Sequence, residues 1–311
     1  FRLPVVLGHE SAGVVEAVGA DVTHVVPGDH VITCLSAFCG HCEECLTGHP
    51  SICDGQETRR RRGQPPRLAQ DEKIVQQFAN LSSFAEQMLV HEHALVKIRR
   101  DMPLDKAALI GCGVTTGVGA VHNTAKVELG STVAVIGCGG VGLSCINGAS
   151  IAGAGRIIAI DRISSKLDLA KTFGATDVIN ASDGDLVEQV KELTSGGVHY
   201  AFEAIGLKQT AEQAFEMLRT GGTATLIGMI PYGEKIELQG ADFLLEKKII
   251  GCAMGSNRFR LDMPRYVDFY LAGKLKLDDL LSSHIKLEDI NEALQALKTG
   301  KVARNVIMFD S

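Results

Sequence analysis

Cys39, Cys42, Cys45 and Cys53 fall in the run Cys-Gly-His-Cys-Glu-Glu-Cys-Leu-Thr-Gly-His-Pro-Ser-Ile-Cys, and no other feature limits the fold of this chain as much. Three thiols at every third position and a fourth eight residues on are able to wrap one tetrahedral cation. Zn²⁺ prefers such a sulfur shell, and four thiolates leave no coordination position for water or substrate. The spacing therefore predicts a structural metal that pins a loop, with the chemistry located elsewhere. An iron–sulfur cluster shares the Cys-x-x-Cys-x-x-Cys start, but its fourth cysteine comes sooner and precedes Pro; here Asp54 follows Cys53. Disulfides suit short secreted chains, whereas this one has 311 residues and nine cysteines, an odd number. A redox switch built on the same thiols predicts zinc release on mild oxidation, and it leaves His9 and Cys112 without a role.

A chain of this length holds two domains, each able to bury its own core. Hydrophobic content of 45% with 34 glycines fits an α/β protein rich in tight turns. No run approaches the roughly 18 to 20 apolar residues of a membrane span, so no membrane partner is expected. No signal-peptide pattern opens the sequence, and a reducing cytoplasm is the expected location. The net charge of −6 argues against a general nucleic-acid binder. Arg59-Arg60-Arg61-Arg62 is a local exception, read either as an anion or partner patch or as a solvated loop beside Gly63 and Pro65-Pro66. The absence of interleaved aromatic residues favours the solvated loop.

Residues 1 to about 100 read as short β segments between Gly, Pro and Asp turns, clearest at 5–7, 13–18, 30–33 and 85–90. The polar, Arg-rich stretch 54–80 reads as a long excursion or lobe. From about 132 the texture changes. Strands at 132–136, 156–160, 177–179, 200–204 and 223–227 alternate with helices at 140–152, 164–173, 185–193 and 209–219. That alternation predicts parallel βαβ units in a doubly wound sheet, an α/β class. The C-terminal part mixes helix and strand and ends in the apolar strand 305–309.

Gly137-Cys138-Gly139-Gly140-Val141-Gly142 matches G-x-G-x-x-G, follows a strand and opens a helix; Asp161 ends the next strand nineteen residues after Gly142. Alone the hexapeptide is weak evidence; this context is what a dinucleotide-binding turn requires. Gly137 allows a tight turn, Gly139 admits a pyrophosphate to the backbone, and Gly142 lets the helix pack on the sheet. The free N–H groups from Gly140 onward supply a positive helix end. Asp161 is expected to accept the adenosine ribose hydroxyls and to repel a 2′-phosphate, which selects NAD. Arg162 beside it could instead accommodate that phosphate. A glycine-rich turn that binds nothing is the bland alternative. Cys138 and Cys145 read as small packing residues.

His9, between Gly8 and Glu10, and Cys112, between Gly111 and Gly113, each resemble a packed core residue when taken singly. Beside a nicotinamide site they suggest a catalytic zinc held by two cysteines and one histidine, with one position open.

Gly8-His9-Glu10-Ser11-Ala12-Gly13, the cysteine ladder, Gly111-Cys112-Gly113-Val114-Thr115-Thr116-Gly117, the 137–142 loop and Val302-Ala303-Arg304-Asn305-Val306 together carry a resemblance. Over essentially the whole chain, the sequence resembles the zinc-dependent alcohol dehydrogenases of the medium-chain dehydrogenase/reductase superfamily. The resemblance implies a mostly β, GroES-like catalytic domain over 1–113 and 256–311, and a Rossmann NAD-binding domain over 114–255. It implies His9 and Cys112 as ligands of a catalytic zinc, with Glu10 a nearby acid and occasional ligand. Thr116 and Val141 would contact the nicotinamide ribose and ring, Lys166 would assist Asp161, and Arg304 would bind the pyrophosphate. The 54–80 excursion is similar to a lobe of dimeric members, so a homodimer is expected, with a tetramer as the alternative.

One departure stands out. The family's first zinc cysteine precedes its Gly-His-Glu motif, with a Ser or Thr and a His of the proton relay. Nothing before His9 matches them, and Cys34 lies too far along. The chain starts Phe1-Arg2-Leu3-Pro4, without an initiator Met, so the expectation is an enzyme truncated at its N-terminus. A polypeptide that lacks the site is the alternative. The implied reaction passes hydride between a primary alcohol/aldehyde pair and NAD, with zinc polarising the substrate oxygen. Oxidation of an S-hydroxymethyl thiol adduct is a second reading, for which the arginine loop is a loose anion site. A catalytically silent zinc- and nucleotide-binding protein is a third.

Overall fold

The chain divides after Thr115 and after Ser256 into two units, Phe1–Thr115 with Asn257–Ser311 and Thr116–Ser256. The structure is a computed structural model and describes residues 3–59, 63–300 and 302–309.

The first unit opens with β1 (Val5–Val6), β2 (Ala12–Val14) and β3 (His30–Thr33). β4 (Leu68–Gln70), β5 (Lys73–Gln77) and β6 (Leu95–Ile98) follow. β2, β3 and β6 form an antiparallel sheet in that order. Val25, Val31 and Leu95 are buried together, with Val15, Val22 and Val90 packed against them. Burial of such β-branched side chains on one face is what stabilises a short-stranded sheet.

Two segments differ from the sequence expectation. The 54–80 stretch is no featureless excursion: β4 and β5 pair antiparallel across a turn at Asp71, whose φ is 54°, and β5 pairs parallel with β1. The polar composition masked a hairpin whose contacts lie more than sixty residues away at Val5 and Val6. The 85–90 stretch is not a strand. Gln77 Nε2 donates to the Leu89 carbonyl at 3.0 Å, so a side chain meets this backbone where a ladder would. Arg60, Arg61 and Arg62 lie outside the described residues, and Arg59 donates to Gln56 Oε1 at 3.5 Å.

A helical run spans Leu104–Ala125. It alternates α segments with wider π turns at Ile110–Val114 and Ala120–Ala125. Among the described residues it is the one helix long and apolar enough to cross a membrane, and 72% of that window is buried inside the protein.

In the second unit β7 (Thr132–Ile136), β8 (Arg156–Asp161), β9 (Asp177–Asn180), β10 (Val198–Glu203), β11 (Leu218–Leu226) and β12 (Lys248–Gly251) form one sheet. All its pairings are parallel and its order is β12-β11-β10-β7-β8-β9. The order reverses between β7 and β10, which makes their carboxyl ends the ligand crevice of a doubly wound sheet. Helices Gly140–Ile151 and Ser164–Thr172 connect β7 to β8 and β8 to β9. Leu186–Thr194 and Lys208–Glu216 make the next two crossovers. Two of them have a clear local signal: Asp185 Oδ1 accepts the Val187 and Glu188 amides at the start of Leu186–Thr194, and Gly174 follows Ser164–Thr172 at φ 110°. Ile136, Ile158, Ile160, Val190 and Phe215 lie in the core beneath these helices. β11 begins at Leu218 rather than 223, because Leu218 pairs with Val198 ahead of a register shift.

The chain then returns to the first unit with helix Phe259–Leu271 and the parallel pair β13 (Leu281–Ile285) and β14 (Arg304–Ile307).

Candidate functional site

The ladder loop brings its sulfurs together. Sγ atoms of Cys39, Cys42, Cys45 and Cys53 all lie within 4.8 Å of one another. Cys39 to Cys45 is 3.9 Å and Cys42 to Cys53 is 3.7 Å. A tetrahedral Zn–S shell with bonds of about 2.3 Å has edges of about 3.8 Å, and these two edges match it. Backbone amides brace the sulfurs: Cys42 N donates to Cys39 Sγ, and Cys39 N and Gly55 N donate to Cys53 Sγ, each at 3.3 Å. Gly55 has no substitute here, since a Cβ on it would sit 2.6 Å from Cys39 Cβ and 2.8 Å from its sulfur. The His41 amide leads the effects that hold the Cys39 thiol down to about 6, while burial pushes the Cys45 thiol up to about 12. The thiols alone do not ionise together; a divalent cation removes that conflict.

His9, Glu10 and Cys112 form a second group, again with one donor atom each and all within 4.8 Å. His9 follows Gly8, whose φ of 89° favours glycine and whose added Cβ would meet Phe84 N at 2.7 Å. The Ser83 amide donates to the Gly8 carbonyl at 3.0 Å and the Phe84 amide to Leu7 at 3.1 Å. The His9 ring tilts against Phe78 at 5.6 Å between centroids. Cys112 projects from the π turn Ile110–Val114, a local widening that often marks functional positions in helices. Gly111 permits this turn to press on β3: its Cβ would lie 2.9 Å from the Thr33 carbonyl. Glu10 Oε1 accepts the Gly113 amide at 2.8 Å, and Arg304 Nε lies 3.6 Å from Glu10 Oε2. Imidazole, thiolate and carboxylate are all zinc donors. Cys34 is fully buried, its thiol pushed up to about 11 by desolvation, and it is not in this group.

In the second unit the glycine loop has the shape a pyrophosphate requires. Gly137 has φ 96°, its amide donates to Ile160 at 2.8 Å, and a Cβ would meet Ile205 Cγ1 at 2.6 Å. Gly139 caps the helix and has nothing within 4 Å of an added Cβ, an open cradle in front of the Gly140 helix end. A Cβ on Gly142 would collide with the Gly137 carbonyl. Asp161 Oδ2 accepts the Cys138 amide at 2.8 Å, and Oδ1 accepts Arg162 N at 2.7 Å and Ile163 N at 3.1 Å. The carboxylate is thereby fixed beside the loop. Burial and then the Asp161 charge push the Cys138 thiol up to about 12, with the Lys166 ammonium opposing. Cys138 and Cys145 are buried packing residues. Val141 is half-buried on the first helical turn, Arg162 is exposed, and Thr116 is buried with Oγ1 3.6 Å from Met254 Sδ.

Two residues that the sequence reading passed over shape these sites. Ser82 Oγ accepts the Phe78 amide and donates to the Val6 carbonyl, both at 2.8 Å, tying the turn over His9 to the strand before it. Glu203 is a fully buried carboxylate at the end of β10. Its one signal was an acid next to the apolar pair Ala201-Phe202 in a strand; Ser82 gave none.

Family models describe the same two parts. The alcohol dehydrogenase GroES-like domain matches residues 1–100, and the zinc-binding dehydrogenase model matches residues 140–272. The chain is 41% identical to the S-(hydroxymethyl)glutathione dehydrogenase of Photobacterium damsela subsp. piscicida, covering 98% of this chain and 85% of that one. It is 40% identical to the class-3 alcohol dehydrogenase of Oryza sativa subsp. japonica, covering 99% and 83%. Among solved structures, benzyl alcohol dehydrogenase from Acinetobacter calcoaceticus superposes with a TM-score of 0.92 at 35% identity, covering 99% and 85%. Identity at this level, over nearly the whole chain and both parts of the fold, goes beyond shared architecture: the chain belongs to the zinc-dependent alcohol dehydrogenases of the medium-chain dehydrogenase/reductase superfamily.

Proposed function

We propose that the protein oxidises primary alcohols, or reduces the matching aldehydes, with NAD as hydride carrier. The observation that carries this reading is the meeting of Cys112 with the adjacent pair His9 and Glu10, far from it in sequence, within 4.8 Å. His9 and Cys112 would hold a catalytic zinc; Cys39, Cys42, Cys45 and Cys53 would hold a structural one. When bound, zinc supplies Lewis acidity at the alcohol oxygen and the nicotinamide accepts hydride. Glu10, fixed by the Gly113 amide, places negative charge beside the cationic centre, and Arg304 balances it. The Gly139 and Gly140 amides would receive the pyrophosphate, Asp161 with Lys166 the adenosine ribose, and Thr116 and Val141 the nicotinamide side. Arg304 is also the proposed cation for the pyrophosphate. A carboxylate at Asp161 that already collects three amides favours NAD over NADP.

The proposal assigns 1–113 and 256–311 to catalysis and 114–255 to NAD. It includes a cytoplasmic location, supported by nine cysteines none of which is in a disulfide, and a homodimer. Light scattering of the purified protein tests the dimer, and cell fractionation tests the location.

Oxidation of S-hydroxymethyl thiol adducts is the second reading, favoured by the name of the Photobacterium relative. One experiment separates the alternatives: zinc per chain by mass spectrometry, with NADH formation from primary alcohols and from S-hydroxymethylglutathione. Two zinc ions and NADH production that a chelator abolishes support an enzyme, and the faster substrate decides its class. One zinc ion with NAD binding and no turnover on either substrate means a silent nucleotide-binding protein, and the proposal is wrong.

A further inference from the structure

Glu203 ends β10 at the point where the strand order reverses, beside the loop that follows β7. Its side chain has no solvent exposure. One oxygen, Oε1, accepts three hydrogen bonds: from Ile205 N at 2.9 Å, from Gly206 N at 2.8 Å and from Thr210 Oγ1 at 2.8 Å. The other, Oε2, is buried without a hydrogen-bond partner. An added Cβ on Gly228 would come within 2.5 Å of that oxygen. The main chain continues the pattern, with the Glu203 carbonyl accepting Ile227 N at 2.9 Å and Gly228 N at 3.0 Å. A single residue thus holds the loops that leave β10 and β11.

A carboxylate kept dry with an oxygen unpaired costs more than a neutral residue of the same shape would. The side chain is therefore retained for what Oε1 does. Two of the donors belong to the turn that carries Ile205, and the third, Thr210, stands on the first turn of the helix Lys208–Glu216 that this turn leads into. Ile205 is 46% exposed, yet its Cγ1 lies where a Cβ on Gly137 would be only 2.6 Å away, so it covers the first glycine of the dinucleotide loop.

We propose that Glu203 is a positioning residue of the dinucleotide site: it fixes the 204–207 turn so that Ile205 stays seated on Gly137 and the mouth of the loop keeps its shape. Glu203 does not reach the cofactor and acts through Ile205. The inference rests on reading the 137–142 loop as an NAD site, and its test must fail separately from that reading.

Isothermal titration of the full chain with NADH supplies the binding readout; thermal unfolding and zinc content are followed in parallel. Wild-type protein that binds no NADH removes the nucleotide-site reading itself, and this inference with it. Given wild-type binding, Glu203→Ala should weaken NADH binding about tenfold, the scale of one charged hydrogen bond lost, with zinc per chain unchanged. Glu203→Gln, which keeps an oxygen for the three donors, should recover most of that loss. Ile205→Ala should weaken binding as well, and the Glu203→Ala/Ile205→Ala double variant should be no worse than the weaker-binding single variant, because one residue acts through the other. Should Glu203→Ala fail to fold, Thr210→Val removes one of the three donors from the surface side, and a Kd raised severalfold is then expected. Wild-type affinity in the folded Glu203→Ala or Thr210→Val protein, or additive losses in the double variant, overturns the proposal.

Discussion

Arg304 Nε stands 3.6 Å from Glu10 Oε2, and both side chains are about three-quarters buried. The other Glu10 oxygen is held by the Gly113 amide, next to Cys112. The carboxylate is therefore shared between a cation on β14 and the metal-type donors beside it. Glu10→Gln removes the negative charge and should weaken zinc retention at this centre by about 10- to 100-fold, the usual cost of losing a group that supports a metal ligand. Arg304→Met frees the carboxylate and should slow zinc loss to a chelator. The four-cysteine zinc is the internal standard: its release should be the same in both variants. Equal release from the second centre in wild type, Glu10→Gln and Arg304→Met would remove the link between Glu10 and the metal.

Ser82 offers a second test, at a residue with left-handed backbone, φ 58°. Its buried hydroxyl joins the Phe78 amide to the Val6 carbonyl. Ser82→Ala loses both hydrogen bonds and keeps the unfavourable backbone, so a loss of about 1–3 kcal/mol is expected from urea unfolding. Ser82→Gly loses the same bonds but relieves the backbone, and should be less damaging by about 1 kcal/mol. Identical losses would mean the backbone carries no strain here.

Acid sensitivity should arise in the first unit. His91 Nδ1 accepts the His93 amide at 3.1 Å, a cap that only the neutral ring can make. Burial, then the neighbouring His93, hold its pKa below the usual 6.5; burial and then Arg260 do the same for His24. The unfolded chain takes up these protons at about 6.5, and the folded chain only at lower pH. Between the two the unfolded state binds more protons, so stability is complete above about pH 6.5 and falls as the pH drops through the folded values. Melting temperatures from pH 8 to 5 should show that decline. His91→Asn, which still accepts at a helix N-cap but does not titrate, should flatten it. An unchanged acid limb in His91→Asn would assign the effect to His24, since Glu92 and Asp29, whose pKa values are also lowered, lose their stabilisation only below about pH 4.5.

Legibility from sequence divided along one line: whether the partners were close in the chain. The strand, the Gly137 turn and Asp161 lie within about one βαβ unit, and the sheet order follows from short crossovers. The ladder sulfurs are likewise local, and the structure brings all four together. The hairpin at 68–77 was hidden because its polar faces give no alternation, and its pairing to Val5 depends on a distant strand. Ser82 meets Val6 across 76 positions, and Glu10 meets Gly113 across 103. No pattern in a single sequence announces such bonds. Glu203 falls between: an acid after Ala201-Phe202 was visible, but not that its partners are two amides of the next turn and the Thr210 hydroxyl.

Asp161 gives the most discriminating test of cofactor choice. Its two oxygens collect the amides of Cys138, Arg162 and Ile163. These bonds leave the carboxylate fixed at the strand end, with Arg162 exposed next to it. Asp161→Ala removes both the proposed ribose acceptor and the negative charge, so NADH affinity should fall about tenfold or more. NADPH should respond differently, because the charge that repelled its 2′-phosphate is gone and the Arg162 guanidinium is left to attract it. Asp161→Asn drops the charge and keeps one oxygen for the Arg162 and Ile163 amides, while its NH2 faces the Cys138 amide and loses that bond. Both cofactors bear that loss alike, so the NADH-to-NADPH ratio, which should narrow, reads the charge apart from loop distortion. Parallel titrations of the two reduced cofactors read the outcome directly. A preference that stays the same in Asp161→Asn would mean that shape alone, not charge at Asp161, selects the cofactor.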